Sequence, residues 1–166
     1  TVKGVEELSY RIETKDSFRI VGASFPLDKE IENNFIAVPQ MWQNAAINGT
    51  FEKITPLMNN QPMGVLGVSV CNNKEEWQYF IAVSSSIDTD NSLDEYIIPA
   101  CTWAIFSGIG TGISIQELER RIITEWLPTS GYEYDNAPDM EVYLNPDPNN
   151  MQYEVWIPIK KYEVKA

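Results

Sequence analysis

The sequence predicts an α+β fold built from tandem β-α-β-β repeats about a pseudo-twofold axis. The repeats would form an antiparallel sheet with two main helices and a central cleft. Three observations carry this expectation. The order strand, helix, hairpin occurs twice, over about residues 10–85 and 92–160. The second strands of the two hairpins are similar, Trp77-Gln78-Tyr79-Phe80-Ile81-Ala82-Val83 against Met151-Gln152-Tyr153-Glu154-Val155-Trp156-Ile157. A chain of 166 residues, 43% hydrophobic and 11% aromatic, suffices for one domain with its own core.

The elements follow from local pattern. Tyr10 to Phe25 reads as a first strand, with Phe18, Ile20 and Gly22 alternating with Arg19, Val21 and Ala23. Residues 27–54 carry helical content, with Pro39 placed near a helix N-terminus and Asn48-Gly49 ending that helix. Phe51 to Ile54 begins a short second helical turn. Met63 to Cys71 and Trp77 to Val83 form a hairpin closed at Asn72-Asn73. Tyr96 to Gly108 is a strand interrupted by Pro99. Ser114 and Glu117 form a capping box, and Ile115, Leu118, Ile122 and Trp126 make an apolar stripe stopped by Pro128. Met140 to Leu144 and Gln152 to Ile159 form the second hairpin around a turn at residues 145–150.

Composition narrows the chemistry. The 12 Lys and Arg stand against 24 Asp and Glu, a formal charge of −12, and there is no histidine. Direct phosphate binding needs clustered cations, so nucleic acid is not expected as a direct partner. The absence of histidine removes Ser-His-Asp and Cys-His catalysis, His-ligated zinc and His-ligated haem. No cofactor or metal is implied. Cys71 and Cys101 have neither disulfide-framework nor metal spacing and read as buried thiols. No membrane-length apolar run and no signal peptide are visible, so a cytoplasmic protein is expected. The chain opens on Thr1 rather than Met, which suggests a piece of a longer protein with a domain upstream.

Four stretches resemble the GyrI-like effector-binding domain, the ligand-sensing part of AraC- and MerR-type bacterial regulators, which also occurs alone. They are Ile20-Val21-Gly22, Val38-Pro39-Gln40-Met41-Trp42 and Ile98-Pro99-Ala100-Cys101-Thr102-Trp103-Ala104-Ile105-Phe106. The fourth is Glu125-Trp126-Leu127-Pro128-Thr129-Ser130-Gly131-Tyr132 followed by Pro138-Asp139-Met140-Glu141-Val142-Tyr143. Gly108-Ile109-Gly110 departs from a His-x-Gly often found in that family. The resemblance runs from about residue 10 to 161. It makes residues 10–166 the effector-binding domain and residues 1–9 a linker or tail, and it implies the same tandem fold.

The resemblance also implies a site. The family places a glutamate after Trp-Leu-Pro in an aromatic cleft that often meets lipophilic cations, and Glu141 matches it here. Strand periodicity independently puts Glu141 and Tyr143 on one face, away from Met140, Val142 and Leu144. An inward carboxylate must find a partner, protonate or await a cation. The family match adds Trp156 to the cleft, and Trp42 and Trp103 are further wall candidates by position. Asp135, Asp139, Asp147 and Glu133 read as solvated surface that adds a background field. The expected function is the multidrug-type effector sensor of a bacterial transcription regulator that binds a hydrophobic or cationic small molecule. No catalytic residue is assigned, and the sequence leaves the oligomeric state open. Two alternatives stand beside it. One is a stand-alone hydrolase of cyclopropane-type toxins with Glu141 as base and Tyr143 as orienter. The other is an acidic protein-interaction inhibitor.

Overall fold

The computed structural model describes residues 7–71, 74–89, 91–145, 147 and 149–163. The hairpin turn expected at Asn72-Asn73 lies outside them, as do Pro146 and Pro148 of the second turn.

Among the described residues nine strands form one antiparallel sheet with its helices on one face. The first expected strand is two strands, β1 (Tyr10–Lys15) and β2 (Phe18–Pro26). They separate because each has its own partner. Then come α1 (Ile31–Ile47), the short α2 (Thr50–Ile54), and the hairpin β3 (Val65–Cys71) and β4 (Trp77–Ser84). The second half contains β5 (Asp94–Ile98), β6 (Cys101–Gly110) and α3 (Gly112–Arg121). A π-helical turn (Ile122–Trp126) leads into α4 (Leu127–Ser130). The chain closes with β7 (Tyr132–Tyr134), β8 (Met140–Tyr143) and β9 (Met151–Lys161). No helix among the described residues is long and apolar enough to cross a membrane.

The strand order is β1-β6-β9-β8-β3-β4-β2-β5, with β7 also on β9. It reads symmetrically about the β8–β3 junction, as the tandem prediction requires. β6, β9 and β8 on one side correspond to β2, β4 and β3 on the other. The outer strands are exchanged. β1 opens the first repeat but pairs with β6, and β5 opens the second repeat but pairs with β2. Each half therefore completes the other's sheet.

Two layers of core result. On one face, α1 and α2 cover Val21, Tyr79, Ile81 and Val83, and α3 covers Phe106, Val155, Ile157 and Ile159. On the other face, Ile20, Leu66, Val68, Phe80, Trp103, Ile105, Met140, Val142 and Trp156 form one contiguous cluster drawn from both halves. No helix among the described residues covers that face, so burial there comes from the twisted sheet curling over on itself.

Four local expectations are corrected. Pro39 lies inside α1 rather than at its start. It removes the bond to the Phe35 carbonyl, and Phe35 and Ile36 are exposed, so water can take that acceptor. Ser114 is not the cap of α3. Thr111 holds that position, and Ser114 Oγ donates back to the Thr111 carbonyl at 2.7 Å. Glu117 pairs with Arg120 instead of closing a capping box. Pro128 does not stop the helix, because the wider turn before it, with Leu127 N–H bonded to the Ile122 carbonyl, absorbs the mismatch. The segment ends at Gly131, whose φ of 80° favours glycine. Cys71 is exposed and Cys101 half-buried, so neither is the fully buried thiol expected.

Gly22 in β2 marks the tightest approach in the sheet. A Cβ there would lie 2.0 Å from the Ile81 carbonyl oxygen and 2.6 Å from the Ala82 Cα, both backbone atoms that cannot rotate away. Gly22→Ala is expected to destabilise the domain by roughly 2–3 kcal/mol, read as a lower denaturation midpoint at unchanged m-value.

Candidate functional site

The junction between the halves defines the site. The numbering shift that carries the pair Leu66↔Ala82 onto Met140↔Trp156 also carries Gly67 onto Glu141. These equivalent residues face each other across β3 and β8. The pseudo-twofold axis therefore passes between them. One repeat places a carboxylate on the axis and the other places no side chain at all.

Alternation along β8 sends Met140 and Val142 into the helix-free core and leaves Glu141 and Tyr143 on the helix face. Helix α1 supplies the first wall. The Trp42 ring meets Tyr143 edge-on, with centroids 4.9 Å apart at 70°. Its Nε1 donates to Tyr79 Oη at 3.0 Å. Gly67 makes this possible, because a Cβ there would lie 2.1 Å from Tyr79 Oη and 3.1 Å from Trp42 Cζ2. The Tyr143 hydroxyl in turn donates to Glu141 Oε2.

Helix α3 supplies the second wall, and it is acidic. Glu119 from α3 joins Asp139 and Glu141 of the β8 edge around a cavity of about 120 Å³, with Gly67, Ser69 and Val155 completing the lining. Burial raises the Glu141 carboxyl to about 6; the Tyr143 hydrogen bond pulls it back and Asp139 pushes it further up. Burial also raises Glu119, to about 8, reinforced by the charges of Glu141 and Asp139. Asp139 is raised by the surrounding protein. Tyr79 and Tyr143 are held well above the ordinary phenol value, first by burial and then by the Glu141 charge. With Glu119 raised to about 8, an added positive charge in the cavity favours its ionised form.

Of the five residues singled out from sequence, Glu141, Tyr143 and Trp42 come together here. Trp103 and Trp156 do not. Trp156 is the cross-strand partner of Met140, so it points with Met140 to the opposite face. There it packs on Trp103 with centroids 5.5 Å apart, and the two are 1% and 0% exposed. Asp139 is exposed, as expected of a solvated surface residue, and also stands at the rim of the cavity. Sequence reasoning missed Glu119 and Tyr79. The signal for Glu119 was its place beside Leu118, on the flank of the α3 apolar stripe, where a helix borders its neighbour.

The family model "Cass2: Integron-associated effector binding protein" matches residues 11–159. No curated sequence is similar enough to count as a relative. Among solved structures, SAV2435 bound to tetraphenylphosphonium aligns with a TM-score of 0.76 at 18% identity, covering 92% of this chain and 94% of that one. The Vibrio cholerae integron cassette protein Cass2 aligns at 0.64 and 14% identity, covering 91% and 95%. The C-terminal domain of EcmrR aligns at 0.61 and 14% identity, covering 93% and 99%. Against EcmrR in its DNA complex the TM-score is 0.60 at 14% identity, and the match covers 93% of this chain and 58% of that one. These likenesses establish the GyrI-like fold, and the model match over most of the sequence establishes the family: the chain belongs to the integron-associated effector-binding proteins.

Proposed function

We propose that this domain senses lipophilic, delocalised cations, and that the ligand sits on the pseudo-twofold axis over Glu141 between Trp42 and Tyr143 on one side and Glu119 on the other. The observation that carries this reading is a desolvated carboxylate at the centre of the groove with an aromatic wall beside it. A cation repays the cost of ionising Glu141 and gains about 0.5–2 kcal/mol from each ring it faces. The tetraphenylphosphonium complex of SAV2435 supports the ligand class, because that protein shares the fold. EcmrR supports the sensor role, since there a domain of this fold is part of a chain bound to DNA. Signalling needs the cation to bind two conformations unequally, and DNA is reached through a separate domain. A hydrolase would need Glu141 as a free base. The Tyr143 hydroxyl already occupies it and lowers its basicity, which favours binding over turnover.

Titration with a fluorescent rhodamine-type cation is expected to quench tryptophan emission with micromolar-range affinity. Glu141→Gln is expected to weaken binding about tenfold, about 1.4 kcal/mol; equal affinity in both proteins would sink the proposal. Trp42→Phe should remove most of the quenching, whereas Trp103→Phe should keep it, because Trp103 lies on the far face.

The pH dependence has opposite signs for binding and stability. Cations favour ionised carboxylates, so affinity should rise from pH 5 to pH 9 through the Glu141 and Glu119 values of about 6 and about 8, with proton release measurable by calorimetry in buffers of different ionisation enthalpy. For the empty protein, both folded values exceed the unfolded value of about 4.3. The native state then holds protons that the unfolded chain has lost, so stability falls as pH rises through this window. Glu119→Gln should raise the Tm by several degrees at pH 8.5 and by much less at pH 4.5.

A further inference from the structure

The acidic cavity is small. At about 120 Å³ it holds an ammonium or amidinium group, whereas sites for drug-sized ligands occupy about 300–1,000 Å³. A second cavity of about 460 Å³ lies near the C-terminal end of α4, lined by Leu127, Pro128, Gly131, Glu133 and the tyrosines Tyr132, Tyr134 and Tyr162.

The two cavities share one edge of one strand. Glu141 pairs with Val155, and Tyr134 and Tyr132 pair with Ile159 and Lys161 on the same side of β9. Asp139 directly precedes Met140 and lines the acidic cavity next to Glu141. Val155, Ile157 and Ile159 all belong to the helix-side core, so this edge of β9 faces the helices. Glu141, Tyr134 and Tyr132 thus lie along β9 opposite Val155, Ile159 and Lys161. Glu141 and Tyr134 are about 14 Å apart at the rise of an antiparallel strand. The connection between β7 and β8 is held against β9 by the Asp135 N–H bonded to the Pro158 carbonyl at 3.0 Å. Tyr134 forms the border. Besides burial, the charges of Asp139 and Glu119 act on its phenol, so it belongs electrically to the acidic cavity while lining the aromatic one.

We propose that the groove continues from its carboxylates into this tyrosine-lined compartment, and that the ligands this chain selects are elongated cations: a compact charged head beside Glu141 and Asp139, and a flat aromatic arm reaching Tyr134 and Tyr162. The proposal rests on the cation-binding reading of Glu141 and specifies its ligand. A head in the small cavity keeps the charge with the carboxylates. The arm buries rings against tyrosine faces, for which offset or edge-on stacking is favourable.

The test compares two amidinium probes with the same head. Benzamidine reaches only the acidic cavity, and the linear diamidine diamidinophenylindole can span both. The long probe is expected to bind at least tenfold tighter. Tyr134→Ala and Tyr162→Ala, at positions already partly open to solvent, should each weaken the long probe about fivefold to tenfold and leave benzamidine within about twofold. Circular dichroism and Tm verify that both variants fold. Glu141→Gln should weaken both probes. If the tyrosine variants change neither probe, or both equally, the second compartment is overturned while the carboxylate site stands. If Glu141→Gln leaves both probes unchanged, the cation reading itself falls.

Discussion

The structure turns on the pairing of Gly67 with Glu141. β3 and β8 are the strands through which the two half-sheets join, and this pair sits at their point of symmetry. A strictly symmetric duplication would place two carboxylates there, at a separation where like charges cannot both ionise, or two glycines and no charge at all. The chain has one of each. Gly67 lets Tyr79 and Trp42 settle onto the sheet, and Glu141 keeps a single carboxylate under their edge. The groove is therefore aromatic toward α1 and acidic toward α3, although the backbone around it is nearly twofold.

The exchanged edge strands make that asymmetry hard to relax. β1 is hydrogen-bonded to the second repeat over Tyr10↔Phe106 to Lys15↔Cys101, and β5 to the first over Phe18↔Ile98 to Gly22↔Asp94. Neither repeat can rotate without stripping an edge from its neighbour. The common core under the helix-free face adds a second tie, because Leu66, Val68, Met140 and Val142 pack in one cluster with Trp103 and Trp156. These two tryptophans tie the two halves together from behind, on the face opposite Glu141.

Much of this was legible in the sequence, and the limits have physical causes. The matched hairpin segments disclosed the repeat, because a period-2 pattern survives duplication even when identities do not. The same alternation fixed which face Glu141 shares with Tyr143. Alternation within one strand says nothing, however, about how that strand pairs with the next. Trp156 shares its face with Met140 through the β8–β9 register, and that register is set by the turn between them rather than by either strand. Trp103 inherits the same ambiguity. Glu119 was hidden for another reason: on a helix the flank of an apolar stripe is solvent in isolation and becomes interior only when a second element arrives beside it. Pro39 and Pro128 follow the same logic. Each obeys a local rule for ending or opening a helix, and each is overruled: Pro39 because Met41, Trp42 and Ala45 beyond it pack on the sheet, and Pro128 because the wider turn before it absorbs the mismatch.

Rigidity in the sheet and adaptability in the walls are what a sensor of this design requires. The floor of the groove is strand backbone, and its charge is fixed on the axis. The walls are helices packed on different halves, α1 over the first repeat and α3 over the second. A cation held by Trp42 and Glu119 together contacts both, so its binding energy depends on the spacing of the helices, whereas its attraction to Glu141 does not. Only the first part can differ between two conformations of the domain, and only such a difference can move an equilibrium. In the proposed sensor, Glu141 supplies the affinity common to all cations, and the helix-borne side chains decide which of them produces a signal.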